Sequence, residues 1–125
     1  MVAIDPADVD RLFGERSNAG DAEGLLDLYE AGATFVDREL GELVGHDVLG
    51  PYLAAWVDMK PAIDMGVSKV VRLADDLAVV HHDWRATVDG PDGVRSELTG
   101  KATEIVRRQA DGSWRFLLDD PFMRN

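Results

Sequence analysis

The run LAVVHHDWRATV, Leu77 to Val88, decides the fold. Ala78, Val80, His82, Trp84, Ala86 and Val88 fall on one side, and the more mixed set Leu77, Val79, His81, Asp83, Arg85 and Thr87 on the other. A period of two marks a strand with one face buried. Gly90-Pro91-Asp92-Gly93 follows as a turn, and Val94 to Gln109 as a second long strand. Asp111-Gly112 then closes a hairpin into a third strand, Trp114 to Asp119. The C-terminal half therefore reads as an antiparallel sheet.

Working back toward the N-terminus, Val67 to Leu73 reads as one more strand. Ahead of it, Leu49, Tyr52, Leu53 and Trp56 have helical spacing, with Pro61 as the stop. Pro51 is tolerated if the helix begins near Gly50 or places the proline in its first turn. Ala33 to Asp37 reads as a short strand, followed by a turn between Gly41 and Gly45. Asp5-Pro6 is a good helix start, and Val9, Leu12, Phe13 and Arg16 continue it to the stop Ser17-Asn18-Ala19-Gly20. Asp21 caps a second helix whose stripe Leu25, Leu26, Leu28 and Tyr29 runs toward Gly32. Helix, helix, strand, helix and then three or four antiparallel strands make an α+β domain, with helices on one face of a curved sheet.

The chain has 125 residues, enough for one domain (residues 1–125) with a single core. Its net charge of −11 excludes a nucleic-acid binder, whose affinity rests on clustered Lys and Arg. It has no cysteine, hence no disulfide, thiolate nucleophile or cysteine-based zinc site. The longest uncharged stretch, Val48 to Val57, is about half of what a membrane helix needs. Met1 to Asp10 holds three aspartates and no basic, apolar leader, so a cytoplasmic location is expected. Arginine outnumbering lysine, with abundant Ala, Val, Asp and Gly, suggests a GC-rich bacterial genome.

No phosphate-cradling glycine loop, Gly-x-Ser-x-Gly elbow or His-Glu-x-x-His motif is present. Asp89, Asp92 and Glu97 lack the spacing of a calcium loop. His81 and His82 point to opposite faces of their strand and cannot share one ion, so no metal or other cofactor is expected.

Two groups of strings carry a family resemblance. The first is Asn18-Ala19-Gly20-Asp21, Leu25 to Tyr29, Ala33-Thr34-Phe35-Val36-Asp37 and Gly45. The second is Val106 to Phe116, ending in Asp119-Asp120-Pro121. Together they resemble the SnoaL-like and ketosteroid-isomerase-like branch of the nuclear transport factor 2-like superfamily. The resemblance implies a cone-shaped, cystatin-like fold: three N-terminal helices on a strongly curved, mostly antiparallel sheet around an apolar pocket. It also implies a homodimer paired through the outer sheet face. By the same resemblance Asp37 matches the general base of ketosteroid isomerases, and Glu104 the protonated acid that donates to the substrate oxyanion. Phe13 stands where those enzymes carry the oxyanion tyrosine. Asp119 resembles the aspartate that SnoaL-type cyclases use.

Hairpin geometry bears on the same acids. If Asp111-Gly112 is a two-residue turn, Ala110 faces Ser113 and the pairing carries back to Glu104 opposite Asp119. Two facing carboxyls repel when both are charged, so one would hold its proton. Asp119 and Asp120 point oppositely, so only one is internal. Each acid also has a plainer role. Asp37 could cap a turn beside Arg38, Glu104 could pair with Arg85 or Arg115, and Asp119 could be solvated at a strand end. Phe13, Tyr52, Trp56, Met59, Met65, Trp84 and Phe116 are the candidate core or pocket wall. The expected function is binding of a small apolar or carbonyl-containing molecule, with cofactor-free acid/base isomerisation, cyclisation or dehydration. A non-catalytic ligand-binding or dimerisation module is the alternative.

Overall fold

The computed structural model describes residues 1–125. Helix α1 (Pro6–Asn18) starts as its sequence dictates, with Pro6 in the first turn and the Asp5 side chain accepting from the Ala7 N–H. Helix α2 (Ala22–Leu26) is capped by Asp21, which accepts from the Gly24 N–H. It is shorter than its apolar stripe. Tyr29 belongs instead to strand β1 (Tyr29–Asp37), because the Phe116 N–H takes the Leu28 carbonyl at 2.7 Å and draws the chain into the sheet. Long-range pairing outweighs local spacing there.

Strand β2 (Gly41–Val44) returns antiparallel to β1 where only a turn was expected. Helix α3 (His46–Asp58) begins one residue after Gly45, so Pro51 sits in its second turn and not at its start. That costs the helix the hydrogen bond to the Asp47 carbonyl. The buried pair Leu49 and Leu53 and the contact of His46 Nε2 with the Tyr29 carbonyl at 2.8 Å hold it nevertheless.

The remaining strands are β3 (Ala62–Asp64), β4 (Lys69–Ala74), β5 (Leu77–Asp89), β6 (Arg95–Arg108) and β7 (Trp114–Asp120). Their order is β2-β1-β7-β6-β5-β3, with β4 also on β5. Three helices over a curved, open mixed sheet make the expected α+β, cystatin-like architecture. The β1–β7 pairing is parallel and the others antiparallel. Strand β5 is long enough to carry two partners on one edge: β4 pairs up to His81, and β3 pairs from Arg85. Between them Met65 to Ser68 cross the edge beside His82, Asp83 and Trp84. Gly66 is required at that crossing, since it has φ +66° and a Cβ there would lie 2.3 Å from the Asp83 carbonyl oxygen.

The β6–β7 hairpin differs from the two-residue turn in an instructive way. Gln109, not Ala110, faces Ser113, and a three-residue loop closes with Gly112 at φ +86°. Pairing is thus one residue out of step: Arg108 with Trp114 and Val106 with Phe116. A bulge at Leu117 then restores Ile105 to Leu118 and Glu104 to Asp119. The cause is parity. Trp114, Phe116 and Asp119 are all buried, and a regular strand cannot turn two even positions and an odd one to the same face.

The core lies between the helices and the inner sheet face, with Val9, Leu12, Leu25, Tyr29, Leu49, Leu53, Val80, Val106 and Phe116 at its centre. No helix is long and apolar enough to cross a membrane.

Candidate active site

Beside this core the sheet and α3 enclose a cavity of about 800 Å³, lined by 25 residues of which 17 are hydrophobic. Phe13, Tyr52, Trp56, Met59, Met65 and Trp84 stand on its wall. Phe116 does not. It is fully buried behind the wall, 4.8 Å centroid to centroid from Tyr29 and edge-on to Phe13 at 6.2 Å. Trp56 is oriented by its indole N–H donating to Ser17 Oγ at 3.0 Å, and Trp84 by donating to the Pro121 carbonyl at 2.9 Å.

Asp37, Glu104 and Asp119 all reach this cavity, in two unlike settings. Asp37 ends β1 near the mouth and is half-buried. Its Oδ2 accepts from the backbone N–H groups of Glu39 and Leu40, both at 2.9 Å, and its Oδ1 from the Tyr52 phenol. Burial pushes this carboxyl upward, but Tyr52 and the two amides together hold it below the usual range. Asp37 therefore caps the β1–β2 turn and faces the pocket at once.

Glu104 and Asp119 form the floor, opposite one another on β6 and β7 and only 2 % and 4 % exposed. Asp120, the next residue, faces the other way. Asp119 Oδ2 accepts from the Tyr29 phenol at 2.5 Å. Desolvation outweighs that hydrogen bond and raises the Asp119 pKa to about 7. The Tyr29 phenol is in turn raised by its own burial and by the Asp119 charge. Glu104 lies well above the usual carboxylate range, chiefly through burial and then through Asp10 beside it. Arg85 and Arg115 do not reach it. Its partner is His82, whose Nε2 lies 2.7 Å from Oε2.

The inward member of the histidine pair is thus His82, beside Val80 and Trp84 in the alternation of β5. Its Nδ1 is 2.7 Å from the Met65 carbonyl at the β3–β4 crossing. A carbonyl only accepts, so Nδ1 carries a hydrogen and Nε2 is turned to the acids. Asp10 of α1, 2 % exposed, completes the group: Oδ1 is 3.6 Å from His82 Nε2 and Oδ2 accepts from the Ser68 hydroxyl at 2.6 Å. Asp10, His82 and Glu104 offer ligand atoms within 4.8 Å of one another, the spacing of a metal-ligand set. The His82–Glu104 contact is a short hydrogen bond.

Sequence reasoning missed Asp10 altogether. It follows Val9 on a helix, where no alternation separates inside from outside. Tyr29 was hidden in the stripe of α2, although its place four residues before Ala33 extends the strand read there.

Residues 9–116 match the model of the SnoaL-like domain, and the chain belongs to that family. No curated protein matches it. Among solved structures, a ketosteroid isomerase-like protein from Erwinia carotovora atroseptica superposes with a TM-score of 0.78 at 18% identity, covering 90% of this chain and 88% of that one. A nuclear transport factor 2-like protein with a cystatin-like fold from Novosphingobium aromaticivorans gives 0.74 at 16%, covering 91% and 76%. A candidate scytalone dehydratase from the same organism gives 0.80 at 14%, covering 90% and 77%. These likenesses establish the fold.

Proposed function

We propose that the cavity binds a small, uncharged, largely apolar molecule with a carbonyl group and carries out acid/base chemistry on it without a bound cofactor. The reaction class is isomerisation, cyclisation or dehydration. One observation carries this reading: Glu104 and Asp119 face each other at the floor of an apolar cavity, and neither is in a salt bridge with Lys or Arg. A carboxyl near pKa 7 is matched to removing a proton next to a carbonyl at neutral pH, and a neighbouring protonated acid can donate to the developing oxyanion. Asp119 is the base in this scheme and Glu104 the donor. Asp37, held ionised at the mouth, is the weaker base and serves to orient Tyr52.

The test is a panel of cyclic and aromatic ketones, scored for deuterium exchange at the carbon next to the carbonyl. Exchange lost in D119N and retained in D37N supports the assignment. Loss in D37N alone reverses the two aspartates. Binding without exchange would favour the alternative, a ligand-binding module, to which Phe13 at the wall already lends weight.

A second copy is the proposed partner. On the outer sheet face Val71, Val79, Ile105, Leu118, Thr34 and Val44 stand in one register across six strands, and Val71 and Val44 are half exposed. Such a row suits pairing of two sheets through their outer faces. Ile105→Glu is expected to halve the mass measured by light scattering. The acidic composition and absence of cysteine suit a cytoplasmic location.

A further inference from the structure

At the cavity floor, acceptor atoms from three elements face one another. The Nδ1–H of His82 is spent on the Met65 carbonyl at 2.7 Å, so in the neutral ring Nε2 presents a lone pair to the acids. It meets Glu104 Oε2 at 2.7 Å and Asp10 Oδ1 at 3.6 Å. A proton between His82 and Glu104 joins that pair alone. No N–H or O–H of the protein reaches Asp10 Oδ1 or Glu104 Oε1, although Asp10 and Glu104 are each only 2 % exposed. Neither acid is paired with Lys or Arg. Buried carboxyls in such a position are satisfied by a group that brings positive charge to several oxygens at once.

We infer that Asp10, His82 and Glu104 form a binding site for one divalent transition-metal ion of the Zn²⁺ class, and that loading this site withdraws Glu104 from the acid/base chemistry of the cavity. Ligands held about 2.1 Å from a tetrahedral ion lie about 3.4 Å apart. Asp10 Oδ1 thus stands near its place, and Glu104 Oε2 has to withdraw by about 0.7 Å, within the broad range of its terminal torsion. The supports of the three ligands are those of a metal site. A carbonyl fixes the tautomer of the imidazole, and the Ser68 hydroxyl donates to Asp10 Oδ2 at 2.6 Å, which leaves Oδ1 for the ion. Both supports come from the Met65–Ser68 crossing that Gly66 makes possible. An imidazole with two carboxylates and no thiolate selects Zn²⁺ and its transition-metal neighbours over Mg²⁺ and Ca²⁺. Three protein ligands leave a tetrahedral ion one position for water or another ligand. Glu104 and His82 also line the cavity, whereas Asp10 stands behind them. A Glu104 bound to the ion has no proton to donate, so the loaded and the proton-donating forms exclude each other. Metal uptake needs nothing from the acid/base reading above; the loss of turnover rests on it.

Uptake is read without substrate, by titrating the chelator-treated protein with Zn²⁺ in a calorimeter. Wild type should bind one equivalent, with Mg²⁺ at the same concentration failing to compete. H82Q, D10N and E104Q should each weaken binding by about a hundredfold or more, and S68A by about tenfold. H81Q, which alters the outward neighbour, should bind as wild type does. X-ray absorption of the loaded wild-type protein, which depends on no variant, should show one imidazole and oxygen ligands at about 2.0–2.2 Å. No uptake, uptake that survives H82Q, or an absorption spectrum without imidazole overturns the site. Uptake unchanged in D10N overturns the three-ligand set, and equal binding of Mg²⁺ overturns the class of ion. In the ketone assay Zn²⁺ should abolish exchange in step with occupancy, and a chelator should restore it. Exchange that persists in the loaded protein overturns the link to Glu104 and leaves the site standing. A protein that takes up the ion but exchanges no ketone in either form overturns the acid/base reading instead.

Discussion

The cavity holds two aspartate–tyrosine pairs that behave oppositely. At the mouth, Tyr52 donates to Asp37; at the floor, Tyr29 donates to Asp119. The donor is the same phenol in each, yet Asp37 is held below the ordinary range and Asp119 is raised to about 7. The difference is what surrounds the pair. Asp37 closes a turn, where two backbone N–H groups supplement the phenol and water reaches the carboxylate. Asp119 has one donor, full burial and two acids for neighbours. A single neutral hydrogen bond does not offset the desolvation of a carboxylate in such a place. Turn geometry thus makes an anion, and sheet geometry makes a base.

The largest expected effect is on turnover. D119N should lower the exchange rate by about a thousandfold, and D37N by less than about tenfold, measured on the same ketone. Equal losses would erase the distinction between mouth and floor.

Stability should move the other way. The Asp119 pKa rises from 3.8 in the ordinary state to about 7 on folding, so the folded chain holds a proton that the unfolded one has lost. Its contribution is intact below about 3.8 and disappears as pH rises through about 7, a swing on the order of 4 kcal/mol. Glu104 adds to the trend in the same direction. Asp37 opposes it only in acid, where its contribution is lost as pH falls through its lowered value. Thermal melts should therefore show the wild-type Tm falling from pH 5 to pH 8. D119N should flatten that slope and melt higher than wild type at pH 8, being more stable but inactive.

Smaller effects sharpen the comparison. Tyr29→Phe removes the hydrogen bond that partly restrains Asp119, so the pKa of the base read from the pH–rate profile should shift upward. Tyr52→Phe should raise the Asp37 pKa toward its ordinary value and cost about 1 kcal/mol in urea unfolding, with the profile of Asp119 nearly unmoved.

The contrast also shows which features a sequence exposes. Asp5-Pro6 and the alternation in β5 are local signals, and α1 and β5 follow them closely. Strand β3 and the start of β1 at Tyr29 owe their form to distant partners, Arg85–Thr87 and Phe116, which local spacing does not record. The facing of Glu104 and Asp119 was legible from the hairpin, although by an argument that omitted both the longer loop and the bulge. Asp10 was not legible, because its place beside His82 depends on how α1 lies across the sheet.

The bulge at Leu117 has a consequence for chain length. Loop and core hold Trp114 and Phe116 in step with β6, while Asp119 answers to Glu104 across the cavity floor. Leu117 is the residue by which these two demands differ. A chain lacking it would carry Phe116 and Asp119 inward on a regular strand, losing the bend and little else. One residue added beyond Leu118 would instead turn Asp119 outward and silence the floor. This strand can therefore vary in length at one point only, and any relative in which it is shorter by one should have lost the bulge and kept the base.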